Sequence, residues 1–385
     1  MPKSAIFEDR KSAMSDTQPI ETGTGENTPT NNRRKVNKWQ IIGLVAVGLV
    51  LVLVSVWFTW LKPFIQKPIS DPLNLPSVST DLIATATAAP TDEPTPTPTV
   101  PEATPTPTPA PICGDDAVWT FLLVGIDYRG NDYLYGLADG IRIARIDFTK
   151  MTVNMVALPR DMVVNAPENL FKEENPIKIN QGYLLGSPGW TGSTDPGNGA
   201  TSLAEVIQFN FGITVDHYAV VNFNAVRNFI DGIGGVEITL PESVYDPDPS
   251  LGYFPSGTQI LDGERALDLM RIRTNYNDGF RVGNQSLIIK AILQKFLKPE
   301  NIVKVPDLVS EFHGAFLTDL SIEQIVNLGT CFLQNFDLED YNSKQIPEEM
   351  LLQDFEYIPS NFGSSFVYRW DQSVVDWIHQ NLMSQ

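Results

Sequence analysis

Two aspartates and four arginines make a pattern suited to phosphate and a hard cation. Asp127 closes the run Val118–Ile126 in VWTFLLVGID, and Asp139 follows twelve residues later in LADGIRIARI. In α/β sheets, ligands gather beyond the carboxyl ends of strands. If the strands carrying the two acids are antiparallel neighbours, both carboxylates share one rim, as a divalent cation requires. The plainer reading is two solvated loop carboxylates, and Gly130-Asn131-Asp132 favours a turn after Asp127. Arg160 and Asp161 follow another apolar run in MVALPRDMVV. Pro159 lacks a backbone donor and ends the ladder there, directing Arg160 off the sheet. Arg271, Arg273 and Arg281 lie within eleven residues in LMRIRTNYNDGFRVGNQS. Forked guanidinium donors suit the oxygens of phosphate. Asp278 and other local carboxylates are the alternative partners.

Several chemistries lack their starting motif. The chain has no HExxH, GxSxG, GxxxxGK[ST] or CxxC, and its only histidines, His217, His313 and His379, are far apart. The formal net charge of -19 argues against nucleic acid, whose phosphate backbone needs a basic face. Cys113 and Cys331 are the only cysteines. They either pair, as thiols in an oxidising compartment do, or remain as two separate buried thiols.

The elements that must position these residues alternate. Val118–Ile126, Gly140–Phe148 and Thr152–Leu158 read as strands, the last two joined by a turn at Asp147-Phe148-Thr149-Lys150. Helices are expected over Ser202–Phe211, Ala225–Ile233, Glu264–Ile272, Gln285–Leu297 and Ser321–Phe332, with strands at Tyr218–Asn222 and Val236–Leu240. Gly234-Gly235 is a stop for the second of these helices. The pattern predicts an α/β fold with a mixed central sheet flanked by helices on both faces.

Upstream, Trp39–Leu61 is an uncharged run of 23 residues, long enough as a helix for the roughly 30 Å core of a bilayer. Arg33, Arg34, Lys35 and Lys38 precede it, so the positive-inside rule places residues 1–38 in the cytoplasm as a disordered tail. Residues 62–112 then form a Pro/Thr-rich linker outside the membrane, PTDEPTPTPTVPEATPTPTPAP in its densest part, stiffened as polyproline II. Residues 113–385 form the extracytoplasmic domain of a single-pass cell-membrane protein.

In order, FLLVGID-YR, the second aspartate, ALPRD, IKIN-QGY, DHYAVVNF, IDGIGGVEITL, LDGERALDLMRIR and DGFRVGNQ resemble the LytR-CpsA-Psr family of cell envelope-related transcriptional attenuators. The likeness covers roughly residues 118–330. It implies a hydrophobic groove for a polyprenyl chain, expected along the helices Ser202–Phe211, Ala225–Ile233 and Gln285–Leu297. It also implies a Mg2+-dependent phosphotransferase that moves a glycopolymer from a polyprenyl pyrophosphate carrier to peptidoglycan or another wall acceptor. Asp127 and Asp139 match the family's acidic pair near the metal, and either is a candidate proton acceptor. Arg160, Arg271, Arg273 and Arg281 match its pyrophosphate-binding arginines; Arg129 and Gln285 match further motif positions. Asp161 is placed to orient Arg160.

Two departures bear on activity. Leu137 and Asn284 stand where the family carries cations, and Arg142 compensates only if β alternation turns it inward. If the site is merely weakened, Asn284→Arg restores phosphate affinity. The alternative function is a non-catalytic protein that binds polyprenyl phosphate or wall polymer. The tail of 38 residues carries no DNA-binding motif, which disfavours direct regulation of transcription.

Overall fold

The computed structural model describes residues 38–73, 75, 111–114, 116–128, 133, 135–167, 170, 174–246, 248–273, 278–302 and 316–383. The chain divides into two units, Met1–Trp57 and Phe58–Gln385. The first holds helix α1, Lys38–Val56, with exposed apolar side chains such as Leu49, Val50 and Leu53. One helical stretch, Ala46–Gln66, is long and apolar enough to cross a membrane. The cytoplasmic tail and the Pro/Thr tract expected from the sequence fall outside the described residues.

The second unit is built on a six-stranded mixed sheet. Its strands are β1 (Val118–Ile126), β2 (Ala138–Asp147), β3 (Thr152–Leu158), β4 (His217–Asn222), β5 (Phe316–Thr318) and β6 (Tyr341–Gln345). Their spatial order is β5-β4-β1-β2-β3-β6. The neighbours β1/β2, β2/β3 and β4/β5 are antiparallel, while β1/β4 and β3/β6 are parallel. The β2–β3 turn closes as the sequence implies, with the Asp147 carboxylate accepting the N–H groups of Thr149 and Lys150 at 2.8 and 3.3 Å.

The helices are α2 (Gln181–Gly186), α3 (Asn198–Phe211), α4 (Phe223–Gly232), α5 (Gly263–Arg271), α6 (Asp278–Phe296), α7 (Ile322–Asn335) and α8 (Gln372–Met383). They cover both faces of the sheet, which is why β1 reads as an unbroken apolar run. Leu122, Val124 and Ile126 enter one core with Leu203 and Ile207 of α3 and Ile378 of α8. Phe121 and Leu123 face the other way, toward Leu293 of α6 and Phe332 of α7. Each such fully buried side chain is worth about 1.5–3 kcal/mol. A third cluster joins α4, α5 and α6 to the strand pair Val236–Leu240 and Gly257–Leu261. Between α4 and that pair, Gly234 and Gly235 adopt φ of 79° and 77°. L side chains rarely adopt that conformation, so the helix stops there.

Cys113 and Cys331 form a disulfide with Cα atoms 6.0 Å apart, so the open alternative resolves as pairing. The bond ties the segment before β1 to α7. After the apolar span, Ile69 and Ser70 donate backbone hydrogen bonds to Leu320 and Thr318 at 3.2 and 2.8 Å, along β5. Downstream of Phe332, where the sequence pattern names no element, β6, the hairpin Leu352–Ile358/Gly363–Arg369 and α8 complete the unit.

Candidate functional site

A bulge builds the acidic rim. Along the β1–β2 ladder Gly125 opposes Gly140, but Ile126 opposes Ala138, so Asp139 is the extra residue. A bulge breaks strand alternation and re-aims the side chain it carries. The Asp127 and Asp139 N–H groups both donate to the Leu137 carbonyl, at 3.1 and 2.9 Å, and the Leu137 N–H donates to Asp127 Oδ1 at 2.8 Å. The two acids thus flank one residue, and both line the same cavity.

Arg160, two residues past the end of β3 and directly after Pro159, returns to this rim. Its Nη1 donates to both oxygens of Asp139, at 2.7 and 2.8 Å. Asp161 steadies Arg160 from the side: it accepts from Arg160 Nε at 3.2 Å and pairs with Lys178 Nζ at 2.8 Å. The backbone of Asn180 bridges the two segments, accepting from Ala138 N–H and donating to Arg160 O at 3.1 and 3.3 Å. Lys178 and Asn180 belong to the IKIN stretch, whose part in the site spacing alone did not show. Arg273 Nη2 lies 3.4 Å and Arg281 Nη1 4.0 Å from Asp139 Oδ2. One carboxylate is therefore shared by three guanidinium groups, a local surplus of positive charge.

Arg271 lines the same cavity, with Nη1 3.8 Å from Asp268 Oδ1, one turn back on α5. Burial above all, with help from Glu264, pushes the Asp268 carboxyl above the usual carboxylate range, against the pull of Arg265 and Arg271. Arg142 points inward and is 4 % exposed. Its guanidinium donates to Ser286 Oγ at 3.1 Å, Val282 O at 3.2 Å and Gln285 Oε1 at 3.4 Å. Burial, opposed by Tyr341 and reinforced by Arg281, pushes it down to about 10, which leaves it a cation at neutral pH.

The cavity holds about 810 Å³. Asp127, Asp139, Arg271, Arg273 and Arg281 line it together with an apolar wall that includes Val226, Phe229, Ile289, Leu293 and Phe296. The expected linings from α4 and α6 are in place. The expected lining from Ser202–Phe211 is not: α3 packs on the opposite face of the sheet, where its apolar stripe serves the core. Asn284 does not face the cavity either; it is buried and donates to Leu269 O at 3.3 Å, tying α6 to α5. Arg129 lies outside the described residues.

Among the described residues there is no group of three or more His, Cys, Asp or Glu able to hold a metal ion. Magnesium asks for less, being held by one or two carboxylates together with phosphate oxygens and water. Asp127 is exposed, and among the described residues only one of its oxygens is engaged, by Leu137 N–H; Asp139 spends both oxygens on Arg160. Of the two carboxylates Asp127 is the readier for a cation, because Asp139 is already held by Arg160.

Known proteins share this frame. TagU of Oceanobacillus iheyensis, a polyisoprenyl-teichoic acid–peptidoglycan teichoic acid transferase, is 27% identical over 218 residues, 56% of this chain and 62% of its own. TagV of Bacillus subtilis, with the same described activity, is 24% identical over 212 residues, 54% of this chain and 51% of its own. The chain thus spans about half to three-fifths of the length of these curated relatives. Among solved structures, that of B. subtilis TagV superposes with a TM-score of 0.54 at 20% identity, covering 69% of this chain and 95% of that one. TagT bound to LI-WTA superposes with a TM-score of 0.51 at 19% identity, covering 69% and 89%. The LytR_cpsA_psr family profile matches residues 85–369, a span that takes in the bulge, the arginine cluster and the cavity wall. The chain belongs to the LytR-CpsA-Psr family.

Proposed function

We propose that this protein is a membrane-anchored phosphotransferase of the cell envelope, with residues 113–385 on the outer side of the membrane. It moves a glycopolymer from a polyprenyl pyrophosphate carrier to peptidoglycan or another wall acceptor. The observation that carries the reading is a single cavity in which an apolar wall runs up to a guanidinium cluster. An amphiphile with an anionic head fits that combination. The relatives described as teichoic acid transferases point the same way.

In the transfer, an acceptor hydroxyl oxygen bonds to the polymer-bearing phosphorus and its proton passes to a carboxylate. The bridging P–O bond breaks, and the polyprenyl monophosphate leaves. Asp127 suits the proton-accepting role, because Asp139 is engaged by Arg160. Arg160, Arg271, Arg273 and Arg281 hold the phosphate oxygens and offset the charge that gathers on them. Gln285 and Arg129 complete the head-group contacts. Mg2+ held by Asp127 and Asp139 would draw further charge from those oxygens.

The test is transfer of polymer from a polyprenyl pyrophosphate donor to isolated peptidoglycan by the full-length protein in detergent, with and without Mg2+. Mg2+-dependent transfer is expected. Donor binding without transfer would instead favour the non-catalytic binding protein, the reading suggested by Leu137 and Asn284 in place of cations.

A further inference from the structure

Arg142 is a charge that the fold alone does not explain. On β2, Ile141 and Ile143 enter the core shared with α3 and α8, so Arg142 stands on the cavity face with Ala144. It is 4 % exposed and lines the cavity. Its partners are two neutral side-chain oxygens and one carbonyl, all from α6. Among the described residues no carboxylate pairs with it, and the Arg281 guanidinium acts on it as a like charge. A buried cation without a counter-ion is costly, and the cost falls when an anion arrives.

The remaining charges around the cavity do not supply that anion. Asp139 is already shared by Arg160, Arg273 and Arg281, and Arg271 is turned to Asp268. The guanidinium groups fall into two sets. Arg160 and Arg273 are part-exposed at the rim, while Arg281 and Arg142 are buried, with side-chain exposure of 3 % for Arg281. The apolar wall of α4 and α6 continues beside them.

We propose that Arg142 and Arg281 form an inner oxyanion subsite for the phosphate joined to the lipid chain, leaving the outer phosphate to the rim arginines. The protein then selects a diphosphate-headed lipid over the matching monophosphate. This rests on the donor class named above and adds to it a residue and a selectivity. Arg142 takes up the charge that Asn284, turned to Leu269 O, does not supply.

The test measures binding of geranylgeranyl diphosphate and geranylgeranyl monophosphate by calorimetry, on the detergent-solubilised full-length protein and on Arg142→Met and Arg142→Gln. Arg142→Met removes a buried charge and so holds or raises the melting temperature. Arg142→Gln keeps a polar group toward Val282 O should the apolar replacement fail to fold. Wild type is expected to prefer the diphosphate. In a folded variant both lipids, which share the chain-linked phosphate, should bind at least about tenfold more weakly, the worth of one charge-assisted hydrogen bond, while the preference set by the rim arginines stays. Undiminished binding of both lipids by a folded variant overturns this subsite and leaves the donor reading standing. Wild type binding neither lipid overturns both.

Discussion

At the scale of single residues, the site is a balance between one carboxylate and a crowd of arginines. Arg160→Ala removes the closest of the three cations on Asp139, and Asp127→Ala removes the carboxylate that, among the described residues, is not committed to an arginine. In the proposed transfer Arg160 holds phosphate oxygens and Asp127 takes the acceptor's proton, and neither side chain is part of the buried core. Each variant should lose transfer by on the order of a hundredfold or more, the usual effect of deleting one preorganised electrostatic group. Melting curves close to wild type would accompany that loss; full Mg2+-dependent transfer by Asp127→Ala would remove it from the site. Asn284 is a different case. Read from its motif, Asn284→Arg restores a phosphate contact. In its actual surroundings, the side chain is 6 % exposed and holds Leu269 O. A guanidinium there must be buried against α5, so the expected outcome is destabilisation by about 1–3 kcal/mol, from overpacking, with no gain in phosphate affinity. Denaturant unfolding set beside phosphate binding distinguishes the two outcomes.

At the scale of elements, α5 carries Arg271 to the cavity and depends on two local features. Asp262 caps the helix by accepting the Arg265 N–H at 2.8 Å. Gly263 follows the cap where a Cβ would collide with the backbone carbonyl of Arg227 on α4. Gly263→Ala must therefore push α4 and α5 apart, at a cost of about 1–3 kcal/mol. Because both helices line the cavity, lipid binding should weaken along with stability. Asp268, on the same helix, gives a pH signature. Burial raises its carboxyl above the ordinary range, so the folded state binds that proton more tightly than the unfolded chain does. Stability from this source is complete below the ordinary aspartate value and is lost as pH rises through the raised one. Melting temperatures of wild type and Asp268→Asn, compared across the acidic range, should diverge in that interval, with wild type falling relative to the variant. Parallel curves would mean that Asp268 titrates normally.

At the scale of the whole molecule, the Cys113–Cys331 bond closes a loop of 218 residues around the sheet. Chain-entropy arguments put such a cross-link at about 2–5 kcal/mol. Cys113→Ser, or reduction of the wild type, should lower stability by that amount in chemical unfolding, and an unchanged midpoint would show the bond to be dispensable. Disulfides persist in oxidising compartments, which agrees with an outer location for this unit. Protease added to intact cells should then digest residues 113–385 and spare the tail before α1. Protection of the unit in intact cells would reverse the proposed topology.

The sequence by itself determined the elements whose signals are local. The uncharged run marked a membrane-crossing stretch because only length and composition matter there. β1, β3 and the strand Val236–Leu240 appear with the bounds their patterns imply, since an apolar run or an alternation is set by which faces are buried. The motif order named the family for the same reason, being a property of the linear chain. Helix ends were legible to within a few residues where a stop marked them, as at Gly234, but α6 begins seven residues before Gln285. What only the tertiary structure decided depends on contacts between distant segments. The bulge that frees Asp139 from strand alternation exists only in the β1–β2 register. The inward turn of Arg142 depends on α6 covering that face, and the retreat of Asn284 on α5 lying beside it. The pairing of the cysteines required a Cα separation of 6.0 Å that no spacing in the sequence encodes. The same holds for α3, whose apolar stripe reads alike whether it lines a cavity or a core; the face of the sheet it covers made it core.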